Sequence, residues 1–234
     1  MDWGRVWTPL NLERLLVGDL FTQGHVGGLL LTVAIAAVAI VGATVLGAIL
    51  GLMRASGNRL LRYPALLYIQ IFRSVPLLIL VFWAYFVPPY LGIETSKAFS
   101  VTVALIVFTT AYIAEYIRGG ILSIPHTQRE AARTLGLSPL QVQLYVVLPQ
   151  AFFNMIPAIT GRYVVTVMNT SLAFLIGLSE LTDIGKQINV RLQTSPVEVY
   201  MTLMIIYFVV TRSLSAGMRL LEHRPRFNRL FLRI

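Results

Sequence analysis

The sequence predicts an all-α integral membrane protein of about five transmembrane helices, with its N-terminus outside and its C-terminus in the cytoplasm. Three observations predict this. Of the 234 residues, 56% are hydrophobic and only 12% charged, with mean hydropathy +0.74, whereas an average globular domain is about 25% charged. The apolar residues gather into runs long enough for the roughly 20 residues that a helix needs to cross hydrocarbon. The arginines concentrate in alternate loops between those runs, which accounts for the formal net charge of +9 and leaves no case for nucleic acid as a partner. The chain has no cysteine, which excludes disulfides, thiol catalysis and Cys-ligated zinc.

Taken in order, residues 1–25 form an N-terminal surface segment. They mix Asp2, Arg5, Glu13, Arg14 and Asp19 with apolar residues and lack the compact core and cleavage site of a signal peptide. The expectation is a segment lying flat on the membrane. Residues 26–221 make one transmembrane domain, with spans expected at 26–53, 64–90, 98–118, 153–178 and 197–221. Arg54, Arg59 and Arg62 follow the first span, and Arg129 and Arg133 follow the third. Residues 222–234 are a basic tail carrying Arg224, Arg226, Arg229 and Arg233. Short arginine-rich loops face the cytoplasm. The alternate loops hold Glu94 with Lys97, then Glu180, Asp183, Lys186, Arg191 and Glu198, a mixed set that belongs outside. In the first span, Ala43, Gly47 and Gly51 recur every four residues, a stripe that signals close helix packing.

The loop at 119–150 reads unlike its surroundings. After Pro125, Thr127 with Glu130 has the spacing of a capping box, and Gly136 is placed to end the helix in a left-handed conformation. Ser138 with Gln141 repeats the box, with Pro139 at the first helical position. A helix of about two turns is too short to be stable alone, so it must dock against something. Ala131 and Ala132 permit close approach, Leu135 and Leu137 offer an apolar anchor, and Arg129, Glu130 and Arg133 make a polar rim. From these residues alone the dock is either the chain's own spans or a partner.

The run "EAARTLGLSPLQVQLYVVLPQAFFNMIPAI" resembles the cytoplasmic signature of ATP-binding-cassette (ABC) importer permeases. It carries Glu130, Ala131, Ala132, Gly136, Leu148 and Pro149 in the pattern of that signature. "FRSVPLL" at 72–78, "AEYIRGGILSIP" at 114–125 and "NTSLAFLIGLSEL" at 169–181 are similar to the polar amino-acid branch, the histidine, glutamine and glutamate type. The similarity covers roughly residues 20–221, and it departs from many relatives at Met168, where a charged residue is common. The resemblance implies a non-catalytic, binding-protein-dependent import subunit in a bacterial inner membrane. Its coupling helix, with Glu130, Ala131, Ala132, Leu135 and Gly136, would sit in a nucleotide-binding ATPase subunit. Further implied partners are a second permease copy or paralogue and an extracytoplasmic amino-acid-binding protein. ATP and Mg would be held by the partner ATPase, with no cofactor on this chain. The sequence itself has no phosphate loop, since Gly185-Lys186 continues with Gln187 and lacks the earlier glycine. His25, His126 and His223 are too scattered for a zinc motif.

Arg73, Asn154 and Arg162 lie within or near the apolar runs, and ionisable groups at that depth are costly enough to imply a role. At about 100° per residue, Arg162, Thr166 and Asn169 share one helix face, suited to a substrate path that accepts a carboxylate. Interhelical hydrogen bonding between two permease copies is the other reading for Thr166 and Asn169. Arg73 is expected near the membrane midplane if the second span is regular, with Pro76 the residue able to break it. Glu115 and Arg118 are expected at the cytoplasmic surface. The resemblance implies a polar amino acid as substrate, and the arginines within the apolar runs favour an acidic or amide one. A stand-alone secondary transporter, which would usually show internal repeats, and a non-transporting scaffold are the alternatives.

Overall fold

The computed structural model describes residues 3–193 and 196–222. The expected tail from residue 223 lies outside them. The helices that matter here are α1 (Pro9–Val17), α2 (Gly28–Ala55), α3 (Arg59–Ser74), α4 (Leu77–Tyr90), α5 (Lys97–Leu122), α6 (His126–Thr134), α7 (Leu148–Asn169), α8 (Leu181–Leu192) and α9 (Pro196–Glu222). Four stretches among the described residues are long and apolar enough to cross a membrane, and the bent pair α3–α4 makes a fifth if counted as one span. The expected helical membrane architecture is therefore present.

The expected continuous span at 64–90 is not. α3 and α4 meet at 100°, because Val75 is extended (φ −98°, ψ 132°) ahead of Pro76. Pro76 has no N–H for the helical ladder, and its ring disfavours helical geometry in the residue before it. Arg73 is thus in the last turn of α3 rather than midway along a regular helix. The fourth span also differs: a π-helical stretch at Val142–Val147 joins Pro139–Gln141 to α7, and a 3₁₀ stretch at Thr170–Ile176 follows it. The Ser138–Gln141 box therefore starts this long element instead of capping a separate short helix.

α2 packs along α5 over most of its length. The small-residue stripe makes this possible: a Cβ added at Gly47 would lie 2.6 Å from the Ile113 side chain, inside any tolerable contact. Ala43, Gly47 and Gly51 are all buried on that face, as expected. One apolar cluster joins Ile35, Ala39, Val81, Val101 and Leu105 to the 3₁₀ stretch. A second joins Ile113, Ile117 and Ile121 to Ala132, Val142, Val147 and Ala151. The N-terminal segment, expected to lie flat on the membrane surface, is docked on α8 and α9. Val6 and Leu15 are buried with Leu181, Ile184, Ile188, Val199 and Leu203, and Arg14 donates to Asp19 (2.9 Å) and Gln187 (2.7 Å). Leu10, Leu12 and Leu16 of α1 stay exposed on its outer side.

Candidate functional site

Two of the expected path residues meet on one aromatic ring. Phe108 and Tyr112, one turn apart on α5, stack edge to face with centroids 5.2 Å apart. The Arg162 guanidinium of α7 lies 3.9 Å from the Tyr112 centroid and 4.8 Å from that of Phe108. Arg73, brought in by the bend at Pro76, lies 5.3 Å from the Tyr112 centroid. Arg162 is only 7% exposed, and its Nε and Nη2 have no hydrogen-bond partner. Among the described residues, no carboxylate pairs with it.

The other two expected path residues are placed differently. Thr166 is fully buried and accepts a 3.1 Å hydrogen bond from Thr109 of α5 while donating to the Arg162 carbonyl. Within this chain it ties two helices together. Asn169 is half-buried at the end of α7, about 10 Å further along the axis than Arg162 at 1.5 Å rise per residue. Asn154 is exposed and donates to Ser123 (2.9 Å). Glu115 and Arg118 form an ion pair with each other at the end of α5.

The expected coupling residues lie on α6 and in the two residues that follow it, at the same end of the bundle. The Thr127–Glu130 box does not form. Pro125, fixed near φ −56° with ψ 142°, is itself the N-cap and makes no side-chain bond, so the helix begins before Thr127. Glu130 instead pairs with His126 Nδ1 (3.1 Å). The C-terminus is as expected. Gly136 is left-handed (φ +86°), its N–H donates to Arg133 O (2.9 Å), and that of Leu137 donates to Ala132 O (3.2 Å). This is the double bond pattern of a Schellman ending. Ala132 is buried against the chain's own helices, Leu137 packs beside it, and Ala131, Glu130 and Gly136 are exposed. Leu135 is 82% exposed, so it is no anchor within this chain.

At the opposite end, sequence reasoning passed over Glu180 as a loop charge. It is fully buried and caps α8 by accepting from Asp183 N (3.0 Å). It also accepts from Thr32 of α2 (3.3 Å) and Tyr207 of α9 (3.1 Å). Burial pushes its carboxyl up to about 7, against the pull of hydrogen bonds from the Thr182 and Asp183 backbone, Tyr207 and Thr32. Its spacing three residues before Asp183 was the available signal. Tyr112 and Phe108 were also missed: their one-turn spacing is legible in the sequence, but the two arginines that meet on them are brought there only by packing.

A bundle of apolar helices broken at Pro76, with a short exposed helix held out at one end, defines a multi-pass membrane permease. The chain belongs to the family of binding-protein-dependent transport system inner membrane components, which it matches over residues 43–227. It is 30% identical over 229 residues to the glutamine transport system permease protein GlnP of Escherichia coli, covering 96% of this chain and 98% of that one. It is 32% identical to the probable glutamine ABC transporter permease protein GlnP of Bacillus subtilis, covering 87% and 96%. The crystal structure of an amino acid ABC transporter with histidines superposes with a TM-score of 0.78 at 30% identity, over 84% of this chain and 92% of that one. The chain is thus an ABC permease of amino-acid import, a non-catalytic transport component whose ATP is hydrolysed by a separate ATPase. That sets aside the stand-alone transporter and the scaffold.

Proposed function

We propose that this chain forms the path for a polar L-amino acid, acidic or amide, across a bacterial inner membrane, with Arg162 and Arg73 receiving a carboxylate. One observation carries the reading: a buried arginine with unfilled donors and, among the described residues, no acid paired with it. Cation–π contact with desolvated rings offsets about 2 kcal/mol, whereas a buried ion costs several. The remainder calls for water or an anion at the guanidinium. Thr166 positions Arg162 by bracing α7 against α5, and Asn169 lies further along the same helix. The names of the glutamine relatives favour the amide substrate. The N-terminus is outside, and α6 is the cytoplasmic coupling helix, presenting Glu130, Ala131, Leu135 and Gly136 to the ATPase while Ala132 faces inward. ATP and Mg sit on that ATPase. A second permease copy or paralogue and an extracytoplasmic binding protein complete the assembly.

The test is Arg162→Met in the reconstituted complex. Uptake should fall at least about tenfold, the loss expected when a charge-assisted contact goes, with assembly and basal ATP hydrolysis retained. Amino-acid amides lacking the free carboxylate should not compete with uptake by the unaltered complex. Unchanged uptake in Arg162→Met, or loss of assembly instead of uptake, would overturn the assignment.

A further inference from the structure

The last turn of any helix leaves carbonyls without partners, and α5 ends only three residues before α6. Its final carbonyls are served one by one. Ser123 N–H donates to Gly119 O (2.9 Å), and the Ser123 hydroxyl donates to Gly120 O (2.7 Å). The next carbonyl, Ile121 O, would meet the N–H of residue 125 in a continuing helix, but residue 125 is proline and has none. The missing donor comes from α6: Arg129 Nη2 reaches back across the joint to Ile121 O. The Arg129 side chain is committed to this interface, since its Nε is also buried. The acid on the same helix, Glu130, is engaged by His126.

We infer that Arg129 is a positioning residue for energy coupling, a strut that makes α6 and the end of α5 move as one body. Without it α6 is joined to α5 by Ser123, Ile124 and Pro125, and its buried Ala132 belongs to the apolar cluster of Ile121, Ile124, Val142 and Val147, where α6 packs on the Val142–Val147 stretch. Such a contact is non-directional and lets α6 pivot. The hydrogen bond is directional and charge-assisted, so it resists a pivot driven from outside. The ATPase would push on the exposed face of α6, and the strut passes that displacement into α5, which carries Phe108 and Tyr112 near its middle. This rests on the reading of α6 as the coupling helix.

The experiment uses the whole complex in proteoliposomes, with its own binding protein and a mixture of radiolabelled L-amino acids. In Arg129→Leu, recovery of the ATPase by pull-down and the rate of ATP hydrolysis should match wild type. Amino acid taken up per ATP should fall about tenfold, the worth of one hydrogen bond to a charged group. Arg129→Lys, which keeps a charged donor on a long stem, should restore most of it. If Arg129→Leu is not recovered from membranes, Arg129→Gln, whose side chain is too short for the reach, takes its place with the same expected loss. Wild-type uptake per ATP in the variant recovered overturns the strut. So does a Lys variant as uncoupled as the Leu variant, or loss of ATPase binding in Arg129→Leu. A separate control, Leu135→Asp, probes the docking reading itself. It should release the ATPase, and retention would sink that reading, whatever the Arg129 variants do.

Discussion

The elbow after α6 offers a graded test of how the docking helix is held. Gly136 sits at φ +86°, and a Cβ built there meets no atom within 4 Å. Substitution therefore costs nothing in collision, and the whole penalty is backbone strain. For an ordinary L-residue the left-handed region costs about 1–2 kcal/mol, a factor of roughly 5–30 in the population that keeps the Schellman ending. Gly136→Ala should weaken ATPase binding to the purified permease in lipid nanodiscs by about that factor. Gly136→Val, β-branched, should weaken it further, since such residues are outliers at positive φ. Gly136→Asn should stay near wild type because asparagine visits this region readily. Binding is read by titrating the ATPase, and uptake should follow the same order. If Ala and Val bind as tightly as wild type, the left-handed ending is not what presents α6. If Asn is as damaging as Val, the cause is a contact made by the bare glycine surface and not the backbone angle.

Two further outcomes follow from the orientation and from Glu180. In this cysteine-free chain, Ser123→Cys should resist an impermeant thiol reagent in intact cells while Glu94→Cys labels readily; the reverse pattern overturns the N-out orientation. Glu180 titrates near 7 in the fold against an ordinary 4.5, so the folded state binds the proton more tightly than the unfolded one. Its contribution is complete below about 4.5, declines as pH rises to about 7, and is constant above that. The thermal midpoint in detergent, followed from pH about 4 to about 8, should fall through this window in wild type. Glu180→Gln should flatten that fall, and an unchanged slope would remove Glu180 as its source.

Composition and patterning were enough to determine that the chain is helical and crosses a membrane, because burying backbone in hydrocarbon permits little else. The Ala43, Gly47 and Gly51 stripe, the Ser138 box and the left-handed Gly136 were equally legible, since each depends on residues within one or two turns of each other. The Thr127 box was misread because Pro125 competes for the same cap and its fixed φ decides the start. Pro76 was visible as a possible break, but not the 100° by which α3 and α4 part, which is set by what each helix packs against. The meeting of Arg73 and Arg162 on Tyr112, the burial of Glu180 between Thr32 and Tyr207, and the reach of Arg129 to Ile121 all depend on the packed chain. The first two join residues 27 to 148 positions apart. The third needs the turn at Pro125 to bring α6 back under α5. A linear sequence states which side chains are available, and only packing decides which of them share a desolvated space, where hydrogen bonds and charges are strong enough to act.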